Sequence, residues 1–233
     1  MRHMPFGRAN TLQNARTLTT ERANSEVQMN ILIGTPIRDI KEYSMRRWLK
    51  SVSALAMPRG TLLMVDNSDT PDFSKRVHEY CKEIGFTRYE LIHLEDMGGL
   101  ESEARLAAAR EKIREVLLAG KYTHWFSWEC DIILPSDTLE KLQRFIDIDL
   151  VHHNYPSRDN DQIVAGGIGC SLISREIMKQ FSMIEGGGYG MCDPDMPNCY
   201  HGNESWLFVR AYRAGFSSLH LSQYLKNVEH LAK

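Results

Sequence analysis

Apolar and polar positions follow two rhythms along this chain. Short unbroken apolar runs end in small or charged residues, and longer stretches repeat their apolar positions every three or four residues. Residues 29–33 are such a run, closed by Gly34-Thr35-Pro36, and predict a buried strand followed by a loop. Residues 43–55 carry Met45, Trp48, Leu49 and Val52 at helical spacing. A second strand is predicted over 61–65, ending in Asp66-Asn67-Ser68, then a helix over 74–84 and a third strand over 89–94. An Ala-rich helix follows over 101–118, with acidic residues in its first turn, as the helix dipole favours, and Gly120 as its stop. "THWFSW" is the fourth strand. Beyond it the pattern predicts a helix over 139–145, a strand over 150–155, and a strand passing into a helix across "VAGGIGCSLISREIMKQF". A Gly-rich loop over 185–203, a helix over 204–214 and a tail of short strands and turns complete the chain. Strands alternating with helices predict one α/β domain over 28–233, doubly wound around a mostly parallel sheet. Residues 1–27 lack periodicity and are read as an N-terminal arm.

Composition narrows the class. The 233 residues are 42% hydrophobic and 25% charged, with a formal net charge of -2. A nucleic-acid binder would show a basic stripe, so that partner is not expected. No apolar run approaches the roughly 18 residues of a membrane span, and none is predicted. No secretory signal is visible. The five cysteines are odd in number and lack a CxxC, which predicts reduced thiols and a cytoplasmic location. Homo-oligomerisation is left open.

Ligands of open α/β sheets bind beyond the carboxyl ends of the strands. Three features fall there: Gly34-Thr35-Pro36, Asp66-Asn67-Ser68, and the pair Glu129 and Asp131. The pair follows a strongly apolar strand. Burying a charge is costly unless it is paired or binds a metal, so the two carboxylates are either solvated or hold a cation. Their hard oxygens suit Mg²⁺ or Mn²⁺. Blander readings stand beside these. Gly34 and Asp66-Asn67 can be turn residues alone. Arg105 and Arg110 can form a solvated helix face. Of Trp125 and Trp128, one is expected in the core and the other facing the cleft. Of His152 and His153, one is expected to face the core.

The order of these pieces resembles the GT-A glycosyltransferases of the family-two type. "ILIGTPIRD" looks like their opening strand, "LLMVDNSD" like the second strand with its base-contacting acid, and "WECDIILPSDTLEKL" like the DxD segment. "VAGGIGCSLISREIM" resembles the acceptor-side strand, "HGNESWLFVRAYRAGF" the G-E-D stretch, and "YLKNVEHL" the closing segment whose His completes the metal site. The resemblance implies a GT-A, Rossmann-like fold and a sugar transferred from a nucleoside-diphosphate donor of UDP or GDP type to a glycan or other hydroxyl acceptor. It implies Mn²⁺ or Mg²⁺ on Glu129, Asp131 and His230. Donor contacts are expected from Gly34, Thr35, Pro36, Arg38, Asp66, Asn67, Arg105, Cys130, Gly166 and Gly167. Ser205 stands where the family has Asp, so the general base is Glu204, or else Asp193 or Asp195. The metal motif begins with Glu in place of Asp. Alternatives are a sugar nucleotidyltransferase and a non-catalytic nucleotide- or glycan-binding domain of the same fold.

Overall fold

The computed structural model describes residues 30–56, 60–157, 163–164, 167–184 and 203–232. The N-terminal arm, Gly166, Asp193, Asp195 and nearly all of the Gly-rich loop lie outside these residues, as does the side chain of Glu204.

Four strands, β1 (Ile31–Ile37), β2 (Thr61–Asp66), β3 (Tyr89–His93) and β4 (His124–Trp128), form the parallel half of the sheet. Between them run the helices α1 (Glu42–Ser53), α2 (Asp72–Glu83) and α3 (Ser102–Ala119). After β4 come β5 (Ile132–Ile133), α4 (Thr138–Leu142), β6 (Leu150–His153), β7 (Tyr155–Pro156), β8 (Ile163–Val164), β9 (Cys170–Ser174) and α5 (Arg175–Gln180). The chain then adds α6 (Asn203–Arg213), β10 (Ser218–Leu221) and β11 (Glu229–His230). The seven-stranded sheet has the order β3-β2-β1-β4-β9-β6-β10. Only β9 runs against its neighbours β4 and β6. The predicted doubly wound, mostly parallel sheet is therefore present, with the order reversing between β1 and β4. Two small ribbons, β11 on β5 and β7 on β8, lie outside it.

Alternation along the strands divides the core into two layers. Ile31, Ile33, Leu62 and Met64 pack with Met45, Trp48 and Leu49 of α1 and Phe73 and Val77 of α2. Leu32, Leu63 and Val65 face Ala109, Ile113 and Leu117 of α3. Trp125 and Trp128 are three residues apart on one strand, so they enter opposite layers. Both are fully buried, each indole N–H donating to a backbone carbonyl: Gly34 at 3.0 Å and Ile132 at 2.7 Å. Neither faces the cleft, contrary to expectation.

The first strand is longer than the apolar run suggests. Gly34-Thr35-Pro36 are expected in a loop but continue β1 to Ile37, in register with Leu63, Met64 and Val65 of β2. A β-carbon on Gly34 would stand 2.6 Å from Trp125 Nε1 and against Ile113, so this glycine admits core side chains rather than a ligand. Among the described residues, no helix is long and apolar enough to cross a membrane.

Candidate active site

The carboxyl ends of β1, β2 and β4 border an open cleft. Its walls include Pro36, Arg38, Lys41, Asn67, Ser102 and Glu129. Of the acidic pair, Glu129 lines the cleft. Ile132 N donates to Glu129 O at 3.1 Å, and the turn this closes carries the chain from β4 into β5. Asp131 is fully buried, and Glu129 keeps a side chain 20% exposed on the cleft side.

His230 reaches the pair from the far end of the chain. β11 lies antiparallel to β5, with His230 opposite Ile132. Leu231 N donates to Asp131 O at 2.7 Å, and Leu225 and Leu231 are buried. Tyr224 stacks edge-on with Phe145, 5.3 Å between centroids, and Arg47 forks onto Glu229 at 2.8 and 3.1 Å. Each of Glu129, Asp131 and His230 offers a ligand atom within 4.8 Å of the others, so the three residues expected to hold a metal are brought together.

The histidine is set up for ligation. Its Nδ1 lies 2.9 Å from Pro156 O, which can only accept, so Nδ1 carries a proton. Nε2 is buried and lies 3.4 Å from Asp131 Oδ2. When the ring is neutral, Nε2 turns a lone pair toward Asp131 Oδ2, the arrangement in which the two can share a cation. A ring anchored through its second nitrogen to a backbone carbonyl is the usual support of a metal-binding His. Two carboxylates and an imidazole fit Mn²⁺ or Mg²⁺.

Basic residues surround the acids. Lys41 Nζ is 3.1 Å from Asp131 Oδ1 and 3.6 Å from Glu129 Oε2. Arg110 Nη2 is 3.5 Å from Glu129 Oε1, and Tyr43 OH is 3.4 Å from Asp131 Oδ2. Burial alone would raise the Asp131 pKa; the contacts with His230 and Lys41 reverse this and hold it well below the usual carboxylate range. Burial likewise opposes the Lys41 charge, and the flanking acids outweigh it, so Lys41 stays protonated beyond the ordinary lysine range.

Other expected donor contacts are placed elsewhere. Asp66 is fully buried and its carboxylate is already engaged: Ser68 N donates at 2.9 Å, Ser74 Oγ at 2.6 Å, and His93 Nδ1 lies 3.2 Å away. It organises the turn after β2 and does not face the cleft. Asn67 does face it, and its buried Oδ1 has no hydrogen-bond partner; neither has Thr35 Oγ1. Arg105 is 5% exposed and braces the loops, donating to Leu100 O at 2.9 Å and Asn67 O at 3.3 Å and pairing with Asp69. Cys130 points into the core, where burial pushes its thiol up to about 12. It is neither a ligand nor a nucleophile there. Gly167 is buried and its carbonyl accepts from Ser171 Oγ at 3.5 Å. Arg38 stays at the cleft and donates to Ser102 Oγ at 3.2 Å.

The blander alternative of a solvated α3 face does not hold, since Arg105 and Arg110 are both buried. The signal was present: Arg105, Ala109, Ile113 and Leu117 recur every four residues, so the arginine continues the apolar stripe. Lys41 and Tyr43 carried no such signal and were missed as site residues. Only the fold brings the turn after β1 over the end of β4.

No family model and no curated protein matches the chain. Solved structures do. A fragment of S. aureus TarS, residues 1–349, superposes with a TM-score of 0.59 at 12% identity, over 83% of this chain and 58% of that one. The mannosyltransferase PcManGT from Pyrobaculum calidifontis, in complex with GDP-Man and Mn²⁺, gives 0.58 at 12% identity, over 83% and 55%. TarS 1–349 in complex with UDP gives 0.56 at 11% identity, over 83% and 60%. The chain thus spans a little over half the length of these neighbours. It has the GT-A fold of the nucleotide-sugar glycosyltransferases.

Proposed function

We propose that this chain is a divalent-metal-dependent glycosyltransferase that moves a sugar from a nucleoside-diphosphate sugar to a hydroxyl acceptor. The observation that carries the reading is the convergence of Glu129, Asp131 and His230 within 4.8 Å, with Glu129 lining the cleft. The neighbours with UDP, and with GDP-Man and Mn²⁺, support the ligand class. A Mn²⁺ or Mg²⁺ ion held there would neutralise the diphosphate as it leaves. Asn67 offers its unpaired carboxamide oxygen to a donor N–H or O–H of base or ribose. Arg38 places positive charge on the cleft wall, and buried Arg110 adds charge behind Glu129, to which it is paired. Glu204, in the first turn of α6, takes the acceptor proton; Asp193 and Asp195 are the other acids proposed for that role.

The test is a panel of UDP- and GDP-sugars with Mn²⁺ and simple hydroxyl acceptors. Release of nucleoside diphosphate with transfer or hydrolysis of the sugar is the expected result. Pyrophosphate release would identify a nucleotidyltransferase instead, and binding without turnover a non-catalytic domain.

A further inference from the structure

We infer that Lys41 competes with the divalent ion for Glu129 and Asp131 and couples metal binding to diphosphate binding. The inference rests on the glycosyltransferase reading above and concerns how its site is loaded.

Lys41 closes the single-turn 3-10 segment Asp39–Lys41 that follows β1. Its ammonium takes one oxygen from each acid, Asp131 Oδ1 at 3.1 Å and Glu129 Oε2 at 3.6 Å. The second oxygens are directed elsewhere: Glu129 Oε1 to Arg110 Nη2 at 3.5 Å, and Asp131 Oδ2 to Tyr43 and His230, each at 3.4 Å. The ammonium therefore bridges the two carboxylates as a metal ion would. An ion bound to both acids would meet a like charge at contact distance, and one of the two must leave.

Charge balance says which moves, and where. Two carboxylates and two cations, Lys41 and Arg110, leave the cluster neutral with His230 uncharged. A divalent ion alone makes it strongly positive. A diphosphate arriving with the ion restores the balance and gives the displaced ammonium a partner. Arg110 is 1% exposed on the long helix α3 and is held by its packing. Lys41 has a side chain 24% exposed on a short turn, a flexible four-carbon stem, and a position on the cleft wall beside Arg38 and Asn67. It is the cation that can swing from the acids to the donor. Lys41 is thus a metal-site competitor and a diphosphate ligand in turn, and each ligand strengthens the other through it.

Calorimetric titration of MnCl₂ into the full chain, with and without UDP or GDP, reads this directly. In the wild type, nucleoside diphosphate should tighten Mn²⁺ by at least ~10-fold, within the usual range of coupling. In Lys41→Met, Mn²⁺ alone should bind at least ~5-fold tighter, because the competitor is gone, and the tightening by nucleotide should shrink by at least ~5-fold. A merely structural lysine predicts the opposite sign, weaker Mn²⁺ binding in the variant. Should Lys41→Met fail to fold, Lys41→Arg gives the second reading. Its guanidinium forks onto both carboxylates and should weaken Mn²⁺ alone by at least ~5-fold. A wild-type protein that binds neither Mn²⁺ nor nucleotide overturns the enzymatic reading and this inference together. A wild type that binds both, with Mn²⁺ affinity unchanged or weaker in folded Lys41→Met, overturns this inference alone.

Discussion

His230 and Asp131 are joined twice. Nε2 of the imidazole stands 3.4 Å from Oδ2 of the carboxylate, and the β11–β5 ladder sets His230 opposite Ile132, the residue after Asp131. The ladder fixes the depth of the imidazole, and the Pro156 carbonyl fixes its rotation. His230→Ala should therefore reduce Mn²⁺ affinity by at least ~100-fold, since even outer-shell partners of a metal cost about 10–100-fold. The melting temperature without metal should change little. Truncation before His230 is a poorer test, because Leu231 is buried and bonded to both Asp131 and Tyr43. Undiminished Mn²⁺ binding by His230→Ala in calorimetry would remove the histidine from the site.

Asp66 and Asn67 are neighbours with opposite assignments. Asp66→Ala strips acceptors from Ser68 N and Ser74 Oγ in a buried network. It should destabilise the protein by about 1–3 kcal/mol in urea melts. Asn67→Ala should leave stability near the wild type and weaken UDP or GDP by about 10-fold, one lost hydrogen bond in a closed cleft. If instead Asp66→Ala loses nucleotide without losing stability, the acid contacts the donor after all.

Glu204 lies in the first turn of α6, whose Leu207 and Ala211 are buried against the second core layer. That packing anchors the helix start beside the sheet. Glu204→Gln should lower turnover by at least ~100-fold with donor affinity little altered, as removal of a general base does. Wild-type turnover in this variant would transfer the role to Asp193 or Asp195.

A separate histidine group is expected to contribute to acid sensitivity. His152 on β6 stacks on His220 of β10 at 4.2 Å and touches Phe208 of α6 at 4.9 Å. Burial, then the neighbouring His220 and His153, lower its pKa to about 4. A folded value below the unfolded value of about 6.5 means that the unfolded chain takes up the proton first. The stability contributed is complete above about pH 6.5 and is lost as pH falls toward about 4. His152→Leu should flatten that part of the curve of melting temperature against pH. An identical slope in the variant would assign the acid sensitivity to the other buried histidines.

How much of this could be read from the chain differs by level. Apolar periodicity located the strands and helices of the parallel half, because each buries a face whose spacing matches its own geometry. The proposed metal ligands were legible through the motif order: Glu129 and Asp131 stand out by charge at the end of an apolar strand, and the fold brings both together with His230. The extent of β1 was not, because glycine, threonine and proline signal a turn. Here tertiary pairing with β2, and the indole of Trp125 over Gly34, override that signal. Asp66 and Asn67 could not be told apart in sequence. Their roles depend on which side of a bend each side chain takes, and Ser74 and His93 settle that from other elements. Lys41 likewise acquires its partners only when β1 and β4 lie side by side.

The ribbon of β11 on β5 also dictates when the site can come into being. Lys41 and Asp131 are 90 residues apart in sequence, and Tyr43 and Leu231 are 188 apart. Contacts between such distant segments form late, after local helices and neighbouring strands have reduced the cost of closing the loop. The growing polypeptide on the ribosome carries Asp131 well before it carries His230. It therefore cannot bring His230 to Glu129 and Asp131 until β11 has emerged and docked, and in the proposed reading metal capture follows folding. Pulse-labelling hydrogen exchange would show the Leu231 amide gaining protection after those of β1, β2 and β4.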